Sequence, residues 1–96
     1  MSIRLMVSIT AVPGKGVELA AQYRGRCAAV MQEPGCEQFE VFQSVVNPDR
    51  LVLLEHWRAA AALAAHAKVN EARAPLPPGL RQGSGEREDY EYNRTR

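Results

Sequence analysis

Few side chains in this sequence can do more than solvate the surface, and most of them fall in one stretch. Glu55-His56-Trp57 closes a run of apolar residues, and His66 follows on an alanine-rich segment. An imidazole titrates near neutral pH and can accept a phenolic proton. A carboxylate on an apolar face can be a base of raised pKa. An indole can stack on a flat ligand. Tyr23 adds a hydroxyl on an earlier amphipathic segment. Each residue also has a structural role open to it. His66 can satisfy a carbonyl near a helix C-terminus, where the dipole favours it. Trp57 can anchor a core, Glu55 can cap a neighbour or pair with an arginine across a dimer, and Tyr23 can be buried against a backbone partner.

Other chemistries lack their residues. Gly14-Lys15-Gly16 is too short for a phosphate-binding loop and lacks the Ser or Thr after its lysine. His56 and His66 lie on different elements, without a Cys or carboxylate at ligand spacing, so no metal site is expected. Cys27 and Cys36 form neither a C-x-x-C nor a disulfide framework and read as buried, reduced thiols of a cytoplasmic protein. With 12 Lys+Arg against 11 Asp+Glu, the net charge of +1 provides no field for nucleic acid or anionic lipid. No apolar run approaches the ~18 residues of a membrane span. The N-terminus alternates rather than forming a signal-peptide core.

The elements that must position these groups can be read from periodicity. Residues 3–11 alternate, with Ile3, Leu5, Val7, Ile9 and Ala11 on one face, as a strand does. From 15 to 33 the period becomes helical, carried by Ala20, Tyr23, Cys27 and Val30 and flanked by Val17 and Met31. Gln22, Arg26 and Glu33 fall off that stripe, and Pro34-Gly35 ends it. A strand over 36–46 sets Phe39, Val41 and Val45 on one face, and Asn47-Pro48-Asp49 signals a turn. The next strand, 50–58, sets Leu51, Leu53, Glu55 and Trp57 on one face against Val52, Leu54 and His56 on the other. Residues 59–69 read as a helix with Ala59, Ala62, Leu63 and His66 on one stripe. A Pro- and Gly-rich connection over 74–86 follows, with RQGSGE read as flexible, then an edge strand over 87–93. Ser8, Gln43 and Ser44 are small polar groups on strands, without an assigned role.

The order β-α-β-β-α-β in 96 residues predicts one α+β domain. Its fold class is the ferredoxin-like split β-α-β, an antiparallel sheet with two helices on one face. The third strand is apolar on both faces, yet helices can cover only one. The simplest cover for the other is a second copy, giving a homodimer packed through its sheet faces.

These elements carry V-P-G-K at 12–15, E-P-G-C at 33–36, L-L-E-H-W at 53–57 and A-A-H at 64–66. Over residues 3–70 the chain thereby resembles the antibiotic biosynthesis monooxygenase family of small dimeric α+β barrels. The resemblance implies a pocket between sheet and helices for a flat phenol or quinol. It implies oxidation by O2 with no cofactor, the substrate supplying the electrons. The family's haem-degrading branch carries an Asn on the first strand, a Trp on the second long helix and a His soon after. Here those places hold Ser8 or Ile9, His66 and a position near Glu71, so haem degradation is not implied. His66 is the expected base; Trp57, Tyr23 and Glu55 are the expected substrate contacts. Two other classes fit the same fold: a ligand-binding or accessory barrel without catalysis, and an isomerase or cyclase for an aromatic or enol substrate.

Overall fold

Alternation over the first strand is realised as β1 (Ile3–Ala11), one of the two inner strands of the sheet. A computed structural model describes residues 1–96 and continues with α1 (Gly16–Val30), β2 (Cys36–Gln43), β3 (Arg50–Trp57), α2 (Ala60–Glu71) and β4 (Arg81–Glu91). The four strands lie in the order β2-β3-β1-β4, all antiparallel. That is the ferredoxin-like arrangement read from the element order.

The register decides which side chains share a face. Leu5 sits opposite Glu55 and Ile9 opposite Leu51, so these four point toward the helices. With Ala11, Leu19, Tyr23, Val30, Phe39, Leu53 and Trp57 they surround the buried interior; all but Glu55 are apolar-core residues. The other face presents Met6 beside Leu54, Ser8 beside Val52 and Arg4 beside His56. No element of this chain lies over that face, and Phe42 on it is half exposed.

Several boundaries differ from the sequence reading. Helix α1 stops at Val30 rather than 33, where the chain tightens into a turn in which Gln32 N and Glu33 N donate to carbonyls three residues back, those of Ala29 and Val30. Its inner stripe uses Leu19, 2 % exposed, while Val17 points outward. Strand β2 stops at Gln43 rather than 46. The Ser44 hydroxyl accepts hydrogen bonds from the Val46 and Asn47 backbone N–H groups and folds the chain into a turn, leaving Val45 and Val46 outside. Helix α2 runs two residues past its expected end, to Glu71.

The largest difference concerns RQGSGE. It is part of β4, which starts at Arg81 rather than 87 and ends at Glu91 rather than 93. Between Ser8 opposite Glu86 and Thr10 opposite Gln82, β4 spends more residues than β1, and the ladder bulges. Gly83 and Gly85 take φ of +71° and +79° there, which side-chain-bearing residues rarely adopt. Flexible composition is therefore the requirement of a bulged strand. Tyr92, just beyond, stacks on His56 across the uncovered face.

One turn fastens helix to sheet. Both carboxylate oxygens of Asp49 accept from amides at the entry to α1, from Gly14 N in the preceding turn at 2.9 Å and from Gly16 N, the first of the helix, at 3.0 Å. Lys15, at the cap position, contributes no side-chain bond, so the cap comes from the β2–β3 turn. A side chain at Gly16 would collide with the Pro48 carbonyl, so only glycine permits this approach.

Candidate active site

Between α1, the inner sheet face, α2 and the connection lies an open cleft of about 610 Å³. Its floor includes Phe39, Leu53 and Glu55; Leu19, Gln22, Tyr23 and Arg26 come from α1, and His66 and Asn70 from α2. Ala74 to Gly79 form its rim. The connection is fixed there by Arg26, which donates to the Ala74 carbonyl at 2.7 Å, and by Val12 N, which donates to the Leu80 carbonyl at 2.8 Å.

His66 is the one buried residue of α2. Its stripe position brings it over Trp57, with ring centroids 4.7 Å apart, and beside Phe39 at 5.7 Å. Nδ1 lies 2.9 Å from Glu33 Oε1. A carboxylate only accepts, so Nδ1 carries a proton and neutral His66 keeps its lone pair on Nε2. Nε2 makes no hydrogen bond to the protein, and His66 lines the cleft. The second oxygen of Glu33 accepts from Arg73 Nη1 at 2.6 Å. Arg73, Glu33 and His66 thus form a line of three, leading from the cleft rim to the base candidate.

Glu55 is 6 % exposed and sits on the floor. Burial pushes its carboxyl pKa up, against the lowering pull of a hydrogen bond from Trp57 and of the nearby His66 and Arg87. The Trp57 indole N–H donates to Glu55 Oε1 at 2.9 Å. A second hollow, about 450 Å³, opens on the other side under α2, lined by Leu5, Val7, Ala60, Leu63, Ala64 and Ala67. Glu55, His66 and Asn70 border both spaces.

The structure thus brings Glu55, Trp57 and His66 together, with Tyr23 on the facing wall. It changes the place expected for Trp57, which is 0 % exposed and does not line the cleft. The indole lies beneath the cleft, holding His66 and Glu55 from below, because the last inward position of β3 falls under α2. His56 is separate: it faces the opposite side of the sheet, where burial and the nearby Arg4 lower its pKa.

Sequence reasoning missed Glu33, which it placed off the apolar face. The helix ends early, and the turn at 31–35 swings Glu33 inward until it is 11 % exposed. A glutamate immediately before Pro-Gly was the available signal, since that turn must reverse the chain under α2. Arg73 and Arg81 were missed because the segments carrying them read as irregular. No three His, Cys, Asp or Glu side chains converge on a metal-sized site.

The fold and the cleft define a small α+β domain with an open cleft between its sheet and helices. Residues 2–74 match antibiotic biosynthesis monooxygenase, and the chain belongs to that family. Among solved structures it is similar to a protein of Pseudomonas aeruginosa, with 26% identity, TM-score 0.71 and coverage of 93% of this chain and 91% of that one. A protein of Shewanella oneidensis has 24% identity, TM-score 0.76 and coverage of 93% and 88%. A protein of Nitrosomonas europaea, provisionally named an antibiotic biosynthesis monooxygenase, has 19% identity, TM-score 0.74 and coverage of 93% and 88%. No curated protein sequence matches the chain.

Proposed function

We propose that this protein is a cofactor-independent monooxygenase that oxidises a quinol or polyphenolic aromatic with O2, and that His66 is its base. The observation that carries the reading is the state of His66. Its Nδ1 is tied to Glu33, its Nε2 makes no hydrogen bond to the protein, and the residue lines a cleft of about 610 Å³ whose floor includes Phe39 and Leu53. In this reading Nε2 takes the phenolic proton, and the carbanion form of the substrate adds O2. A ring CH2 then becomes C=O; one oxygen atom enters the product and the other leaves as water. All electrons come from the substrate. Tyr23 and Glu55 contact the ring system, while Trp57 acts from beneath.

The test is oxygen uptake with anthrone as substrate and no added flavin or metal. His66→Ala, with an unchanged circular dichroism spectrum, is expected to lose at least about tenfold in rate, the low end of general-base contributions. An unchanged rate removes His66 from the chemistry. A second reading, an isomerase or cyclase, draws on the pairing of a free imidazole nitrogen with a carboxyl of raised pKa on the same wall. It predicts a changed product without oxygen uptake. A ligand-binding barrel predicts neither.

We also infer a single domain, since β4 completes the sheet beyond the connection. The uncovered sheet face, with Met6, Phe42, Val52 and Leu54, supports a homodimer formed through that face. Sedimentation giving a monomer at micromolar concentration sinks the dimer. The free thiols of Cys27 and Cys36, both held protonated by burial, support a cytoplasmic setting. No helix is long and apolar enough to cross a membrane.

A further inference from the structure

The polar groups of the main cleft divide into two kinds. Toward the sheet and α2 stand acceptors, His66 Nε2 and Glu55. Along α1 and the rim stand mainly donors, with the buried, unpartnered Gln22 Oε1 an acceptor among them. Arg81 Nη1 approaches the Tyr23 hydroxyl oxygen at 3.5 Å, so the tyrosine oxygen is the acceptor of that contact and its own proton has no partner. Arg81 otherwise donates to the Ser84 carbonyl. Arg26 spends one N–H on the Ala74 carbonyl.

Charge follows the same division. Arg73 is balanced by Glu33 at 2.6 Å, but neither Arg26 nor Arg81 has a carboxylate within ion-pair distance. Glu55 is the one carboxylate lining the cleft, and burial raises its pKa. Two guanidinium groups and a free phenolic proton therefore face the same space without an anion. Arginine presents its donors in a planar fork suited to carboxylate oxygens.

We propose that the cleft binds a phenolic aromatic that also carries a carboxylate, the carboxylate held by Arg26, Arg81 and the Tyr23 hydroxyl and the phenol directed at His66. This inference rests on the reading of His66 as the proton acceptor. It adds the substrate's second end, and with it a fixed direction of entry. The acidic group stays at the wet rim, so its charge remains partly solvated, while the ring system covers Phe39 and Leu53.

The test is equilibrium binding by titration calorimetry, independent of turnover. The probes are 6-hydroxy-2-naphthoate and its methyl ester, which share ring and phenol and differ in the charge. The acid should bind at least about tenfold tighter at low salt, the scale of one charge-assisted hydrogen bond. The preference should disappear in Arg81→Gln and shrink in Arg26→Gln. It should also fall as salt is raised, because the rim is open to solvent. Equal affinities, no binding of the acid, or a preference retained in both variants overturns the proposal. Should a variant fail to fold, the salt series on the unaltered protein decides, and a preference indifferent to salt overturns it. The two readings fail separately. Acid-selective binding without oxygen uptake removes the oxygenase and keeps the carboxylate site; oxygen uptake without acid preference does the reverse.

Discussion

Glu33→Gln tests whether the line from Arg73 to His66 does what its geometry says. Glu33 accepts from His66 Nδ1 at 2.9 Å and from Arg73 at 2.6 Å, with its side chain 11 % exposed. Glutamine has nearly the same shape but only one acceptor oxygen. If that oxygen keeps His66, the amide N–H₂ faces the Arg73 guanidinium, donor against donor. If it keeps Arg73, the amide donates to Nδ1, which forces the proton onto Nε2. Hydrogen bonds to charged groups contribute about 1.5–3 kcal/mol each, so losing one of two costs about 2 kcal/mol. At 4–8 °C per kcal/mol for a domain of this size, Tm should fall by roughly 8–16 °C. Activity should fall further than His66 occupancy alone explains, since the wrong tautomer has no lone pair toward the cleft. A misdirected tautomer costs as much as about 10⁴ in a serine-protease triad. Thermal melts give the first quantity, and nitrogen-15 shifts of the His66 ring give the tautomer directly. A Tm within about 1 °C of the unaltered protein, together with an Nε2 that remains unprotonated, refutes the reasoning.

Other perturbations address single parts. Glu55 has a folded pKa raised above its ordinary 4.5, so the folded state holds the proton more tightly than the unfolded state. Its contribution to stability is complete below that ordinary value and is lost as pH rises through the folded one. Glu55→Gln keeps an acceptor for Trp57 and removes the buried charge, so its stability relative to the unaltered protein should improve as pH rises above the ordinary 4.5; urea melts on both sides of that pH, with no change in the difference, would contradict this. Asp49→Ala removes both amide contacts at the start of α1 and should cost about 1–2 kcal/mol in urea melts, the range of lost helix caps. Cys36, its pKa pushed up to about 11 chiefly by burial, should react with a disulfide reagent at pH 8 about a hundredfold more slowly in the folded than in the urea-unfolded state. Equal rates would show the thiol to be open.

Strand periodicity made most of the fold legible, because a buried face leaves a period-two record that tertiary contacts reinforce. Leu51, Leu53, Glu55 and Trp57 are all buried, as their alternation requires, and Val52, Leu54 and His56 face the other way. Legibility failed where a side chain or a glycine, not periodicity, sets the backbone. Ser44 ended β2 by bonding two amides. Gly83 and Gly85 carried β4 through a bulge that reads as a linker. The site divided along the same line. Glu55, Trp57 and His66 stand on regular elements, so their shared face could be counted. Glu33, Arg26, Arg73 and Arg81 meet the cleft through a turn, a helix edge and a connection whose paths only long-range contacts define.

Helix α2 shows why stability and chemistry are joined in this molecule. It presents mostly alanine to the sheet, and a methyl group removes little apolar area from water, about 0.8 kcal/mol per carbon buried. His66 is its sole buried residue, and hollows lie on either side of it. Tight apolar packing would close those hollows, so the helix must be held by something directional instead. The bond from His66 to Glu33 supplies that, anchored in turn by Arg73 just past the helix end. Close seating of Ala62 on Gly35, where any side chain would collide, fixes the depth at which the histidine meets its partner. A helix fastened at one polar point over a partly empty space costs packing energy. In return it leaves open space on either side of an imidazole whose Nδ1 is already held.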